Sequence, residues 1–98
     1  MNNPDMKIRY RKNDIFVFRK IEEEYILVPV RKIASDVSSI FSINPVGSKI
    51  WELISPAKTV SEIIAIIADE FEVDKAIAEK DTLRFIKKLK AVQAIIRI

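Results

Sequence analysis

Residues 39 to 62 read SIFSINPVGSKIWELISPAKTVSE, and the pair Asn44-Pro45 inside them leaves the backbone little choice. Ser39, Ile40, Phe41, Ser42 and Ile43 alternate as a strand does. Asn44 caps a helix start through its side-chain oxygen, and Pro45 suits the first helical position, where an N–H has no partner to lose. The helix that follows carries the only Trp of the chain, Trp51, and ends near Ser55-Pro56. Thr59, with Glu62 three residues on, forms a capping box for a second helix. A strand therefore runs straight into a bundle of helices. Such a border strand can offer an open edge to a visiting peptide.

The chain has 98 residues, which makes one domain able to bury roughly 60–65% of its unfolded surface. Apolar residues at 49% and charged residues at 32% fit an ordinary folded protein, and the net charge of +3 does not by itself imply nucleic acid. No apolar run approaches the ~18–20 residues that cross a bilayer. The opening segment, MNNPDMKIRYRKND, lacks the apolar centre of a secretory signal, so residence in the cytoplasm without membrane association is expected. Residues 1–13 read as a partly disordered tail, and 14–98 as the domain.

What is missing bounds the chemistry. With no His and no Cys, the chain has no imidazole acid or base, no thiolate nucleophile and no ordinary zinc site. Its single Gly, Gly47, cannot build a phosphate-cradling loop. The acidic runs Glu22-Glu23-Glu24 and Asp69, Glu70, Glu72 fall in a turn and at a helix end, where solvated roles are ordinary. These features describe a non-enzyme with no cofactor.

The chain divides into three strands and then three helices. Asp14 to Ile21 alternates Ile15, Val17 and Arg19 against Phe16, Phe18 and Lys20. Glu22 to Glu24 reads as a hairpin tip without the usual Asn-Gly signal. Tyr25 to Lys32 is the second strand, with Pro29 at an unpaired edge or a bulge, and residues 34–38 connect to the third. Asn44 to Ile54 puts Val46, Ile50, Trp51 and Ile54 on one face, and Thr59 to Phe71 does the same with Val60, Ile63, Ile64, Ile67 and Phe71. Asp74 caps a third helix that turns Ile77, Ala78, Phe85, Ile86 and Leu89 inward. The ending Ile95-Ile96-Arg97-Ile98 suits either a short strand or an extended tail. Trp51 is expected to fill the space between helices, and its truncation to Ala to cost roughly 3–5 kcal/mol.

Charge separates along the helical half. Thr59 to Val73 holds four acids and no bases, whereas Asp74 to Ile98 holds seven bases against three acids. Basic residues late in a helix complement its negative end, but Arg84 and Lys88 also lie four apart and share a face that a partner can meet.

The elements EYILVPV, IFSINPVGSKIWELI, KTVSEIIAIIADEFEVD and KDTLRFIKKL, in this order and at this spacing, resemble the PqqD family, also called RiPP recognition elements. The resemblance covers residues 14 to 96. It departs from the family at Ser55-Pro56-Ala57-Lys58 and at Gln93-Ala94, where members commonly have Gly. It implies an α+β, winged-helix-like fold, with a three-stranded antiparallel sheet followed by a three-helix bundle.

It also implies a peptide chaperone. Members bind the leader of a ribosomally made precursor peptide as an added strand and present it to a modifying enzyme, a radical SAM protein in the biosynthesis of pyrroloquinoline quinone (PQQ). Mapped onto this chain, the groove is expected between the strand of Ser39, Ile40, Phe41, Ser42 and Ile43 and the third-helix residues Asp81, Arg84, Phe85 and Lys88. The residues alone favour core packing for Ile43 and leave Phe41 divided between core and peptide. The alternative is a winged-helix DNA-binding protein with the basic third helix in the major groove. Against it, too few residues follow Lys90 for a wing hairpin, and the helix lacks polar base readers. No nucleic acid partner is therefore expected, and the oligomeric state stays open.

Overall fold

The computed structural model describes residues 4–22, 24–29 and 41–98. Five strands and three α-helices follow in chain order: β1 (Tyr10–Lys12), β2 (Phe16–Ile21), β3 (Glu24–Pro29), β4 (Phe41–Ile43), α1 (Pro45–Leu53), α2 (Val60–Glu70), α3 (Lys75–Ala91) and β5 (Ile95–Arg97). One antiparallel sheet has the order β2-β3-β4, and a second pairs β1 with β5. The fold is α+β, with a meander of three strands feeding three helices.

The β2–β3 hairpin turns where Ile21 faces Glu24. Glu22 takes the left-handed conformation there, φ 55°, which a tight hairpin demands and Asn or Gly usually supplies. Alternation turns Phe16 and Leu27 inward, with Val17 39% exposed on the other face. Pro29 closes β3 opposite Phe16, so its missing N–H falls at the end of the ladder. Residues 30–32 of the expected second strand, and Ser39 and Ile40 of the third, lie outside the described residues.

The helices form where their caps dictate. Oδ1 of Asn44 accepts the Gly47 N–H at 2.7 Å, and Pro45 occupies the first turn. Glu62 Oε1 accepts from the Thr59 N–H at 2.8 Å while Thr59 Oγ1 accepts from the Glu62 N–H at 3.2 Å, completing the capping box. The Thr59 N–H and, at 3.1 Å, the Thr59 hydroxyl both donate to the Glu62 carboxylate and hold it below its usual range, helped by Arg9 and Lys58. Asp74 stands at the start of α3 but its side chain makes no capping bond.

The core joins Ile50 and Trp51 of α1 and its C-cap Ile54 to Val60, Ile63, Ile64 and Ile67 of α2 and to Ala78, Ile86 and Leu89 of α3. Ile77, expected to point inward, is 48% exposed. At 100° per residue it stands about 130° from the mean direction of Ala78, Thr82, Ile86 and Leu89, so the helix cannot bury both. Thr82 takes the inward place that sequence reading gave to Ile77. It is fully buried, and its hydroxyl has no hydrogen-bond partner among the described residues.

Residues 4–13 of the segment read as a tail are built into the fold. Met6, Ile8, Tyr10 and Lys12 alternate with Lys7, Arg9 and Arg11, and Tyr10 is 4% exposed against the core. The Val60 N–H donates to the Ile8 carbonyl and the Ile98 N–H to the Arg9 carbonyl. The C-terminal residues are the strand β5, paired Tyr10 to Arg97 and Lys12 to Ile95. Lys90 sits over the Tyr10 ring at 5.9 Å and Lys12 over the Trp51 ring at 5.5 Å, tying β1 to α3 and α1. Burial depresses the Lys12 pKa, more than the nearby Glu52 carboxylate raises it.

A Schellman turn delivers β5. The Ala94 N–H donates to the Leu89 carbonyl at 2.8 Å and the Gln93 N–H to Lys90 at 3.0 Å, with Gln93 left-handed at φ 62°. Gln93, not Ala94, therefore carries the strained conformation. Replacing Gln93 by Gly should raise stability by about 0.5–1 kcal/mol in urea unfolding, relief of strain outweighing added unfolded-state entropy. The capping box generates a pH expectation. Because folding lowers the Glu62 pKa, its contribution is intact above the unfolded value and is lost as pH falls through and below about 4. Thermal melts of Glu62→Gln should lose less stability over that range than those of the parent chain.

Candidate functional site

Strand order decides where a partner strand can go. β4 pairs with β3 on one side, Ile43 facing Tyr25 and Ser42 facing Ile26. Its other side has no partner strand among the described residues, because β4 ends the sheet. Backbone N–H and C=O groups along such an edge are competent to pair with an incoming chain. Ser42 is exposed and Ile43 is buried at 6% exposure, so the strand turns one residue to solvent and the next to the core. The Phe41 side chain lies outside what is described.

Beside that edge runs a groove floored by α3. One hollow of about 150 Å³ lies between β4 and the end of α3, lined by Leu27, Ser42, Ile43, Phe85, Leu89 and Val92. A second, of about 260 Å³, continues between the start of α1 and α3, lined by Val46, Gly47, Ile50, Asp81 and Arg84. Asn44, Phe85 and Lys88 border both. The floor is apolar and the rim is charged. Arg84 and Lys88 are exposed, and neither forms an ion pair among the described residues. The first turn of α1 holds no acid, so its positive end adds to theirs.

The structure thus brings Ser42, Ile43, Asp81, Arg84, Phe85 and Lys88 to one groove, with Ile43 in the floor. Sequence reading missed Leu27, Asn44, Val46, Gly47, Ile50, Leu89 and Val92 as lining residues. Asn44 was visible only as a cap, and the lone Gly offered a signal without a stated reason. That reason is close packing. A Cβ on Gly47 would stand 2.5 Å from Ile43 Cγ2 and 3.4 Å from Phe85 Cε1. Gly47 lets the first turn of α1 press on the strand residue and the α3 ring that shape the groove.

No group of three or more His, Cys, Asp or Glu side chains converges among the described residues, and none of the described helices is long and apolar enough to cross a membrane.

Comparison with known proteins gives two matches. The profile of the family described as coenzyme PQQ synthesis protein D (PqqD) matches residues 24–95. The solved structure of TbiB1 in complex with the TbiA(beta) leader peptide is similar at a TM-score of 0.68 and 27% identity, over 87% of this chain and 93% of that one. No curated protein sequence matches.

The packing at Gly47 is testable. Gly47→Ala gains about 1 kcal/mol of helix propensity but overpacks a β-branched neighbour at about 1–3 kcal/mol. A net loss of about 1 kcal/mol is expected in chemical denaturation, with the Ile43 methyl and Phe85 ring resonances displaced in NMR spectra.

Proposed function

Since the chain belongs to the PqqD family, we propose that it binds the leader segment of a ribosomally made precursor peptide and presents it to a modifying enzyme. The leader adds as a strand along the vacant side of β4, over the groove that α3 floors. The observation that carries this reading is that open edge lying directly beside an apolar groove with a basic rim. Main-chain pairing supplies affinity with little demand on sequence, and side chains entering the groove supply selectivity. TbiB1, whose fold this chain shares, was solved with a leader peptide bound.

The two hollows divide the work. The part between β4 and Val92 accepts an apolar leader side chain. Arg84, Lys88 and the start of α1 favour an acidic one, which raises the association rate more than the final affinity. Asp81 at the same rim disfavours a second acid beside it. The protein itself performs no bond chemistry. Its partner is a peptide-modifying enzyme of the radical SAM class, acting in PQQ biosynthesis or on another ribosomal peptide, and the pair works in the cytoplasm.

Calorimetric titration with synthetic leader peptides from precursor genes adjoining this chain's own tests the reading. Ser42→Pro should abolish or strongly weaken binding while leaving the circular dichroism of the helices unchanged. Arg84→Glu with Lys88→Glu should lower affinity for an acidic leader by about tenfold at low salt, with a smaller effect at high salt. Leader affinity untouched by all three substitutions would overturn the proposal, as would tight binding of duplex DNA in place of peptide.

A further inference from the structure

The β2-β3-β4 sheet has a second face, turned away from the core. Val17, Arg19 and Ile21 of β2 point to it, and the register sets Val28, Ile26 and Glu24 of β3 opposite them in turn. Val17 is 39% and Ile21 53% exposed, Arg19 and Glu24 are exposed, and Ile26 and Val28 are only half-buried. Neither Arg19 nor Glu24 has an ion pair among the described residues. Aliphatic side chains on a sheet face that no described element covers call for a partner surface.

The charges say which partner. Arg19 faces Ile26 across the ladder and, two residues nearer the hairpin tip, Ile21 faces Glu24. These four positions form a rectangle of about 5 by 7 Å, with the opposite charges on one diagonal and the two isoleucines on the other. A purely acidic or purely basic partner would satisfy one charge and repel the other. A surface carrying the same rectangle satisfies both.

We propose that this face is the contact of a homodimer, formed with a second copy packed face to face across a two-fold axis that runs along the Ile21–Ile26 diagonal. The rotation brings each of these isoleucines against its counterpart. It sets Arg19 against the partner's Glu24, and Glu24 against the partner's Arg19, the self-complementarity that two-fold symmetry requires. Sheets packed about 10 Å apart leave room for the aliphatic layer and for the long Arg side chains at its margin. Val17 and Val28 extend the apolar strip away from the hairpin tip. The patch is smaller than the ~800 Å² per partner of a standard interface, so the dimer is weak, with a dissociation constant of about micromolar or above. The groove beside β4 lies on the opposite face of the sheet, so both copies keep it open.

Sedimentation velocity of the full chain from about 5 µM to about 1 mM tests the contact, with folding checked by circular dichroism. A concentration-dependent monomer–dimer equilibrium is expected for the parent chain. Arg19→Glu alone and Glu24→Arg alone should each raise the dissociation constant by about tenfold or more, since each sets like charges together on both sides of the axis. The double variant R19E/E24R should restore the dimer, and Ile21→Lys should abolish it. A parent chain that stays monomeric throughout would overturn the proposal. So would a dimer indifferent to these substitutions, or single-variant losses that the double variant does not repair.

Discussion

The contact between Ile43 and Gly47 is the constraint from which the rest of the architecture follows. Asn44 ends a strand and starts a helix within one residue, and only a residue without a Cβ lets that helix turn back on the strand so closely. With α1 fixed there, β4 is held beside α3 and Phe85 closes the floor between them. The edge of the sheet and the face of a basic helix then share one groove. Substituents larger than hydrogen at Gly47 act on the strand, the helix and the groove at once.

A second constraint is the use of one glycine in 98 residues. Glu22, Glu72 and Gln93 all adopt left-handed conformations that glycine would adopt without strain. Two of them end helices: the Val73 N–H reaches back to Ala68, and the Ala94 N–H to Leu89. The strain at Gln93 is offset by what the turn achieves, since it sends β5 back across β1. Asn13 clasps the same turn, its side chain donating to the Gln93 carbonyl at 2.8 Å and its backbone N–H to Ala94. The paired strands β1 and β5 are thereby fastened to the end of the helix that lines the groove.

Local signals made much of this legible. Asn44-Pro45 and Thr59 with Glu62 located two helix starts because caps are short-range chemistry, and the inward stripes of α1 and α2 followed from apolar spacing. The three-strand meander was readable from the β-favouring runs Asp14 to Ile21, Tyr25 to Lys32 and Ser39 to Ile43, of which Phe16–Ile21, Glu24–Pro29 and Phe41–Ile43 are the described strands. Ile77 was misplaced because an aliphatic residue outranks Thr in any hydrophobic pattern, yet helix geometry gives the inward place to Thr82. The alternation of Met6, Ile8 and Tyr10 was overlooked among the four basic residues Lys7, Arg9, Arg11 and Lys12. In the groove, Arg84 and Lys88 stood out from their common face, and Phe85 entered through the family resemblance. Leu27 and Val92 did neither, because only tertiary packing brings the middle strand and the end of α3 to the same hollow.

The account stands on the outer side of β4 accepting a peptide backbone. Amide hydrogen exchange, resolved residue by residue with and without a saturating leader peptide, addresses that directly. Strand addition predicts marked slowing at the outward amide or amides of Phe41–Ile43, together with smaller changes in α3 around Phe85. A leader that binds yet leaves the exchange of all three strand amides unaltered would contradict it.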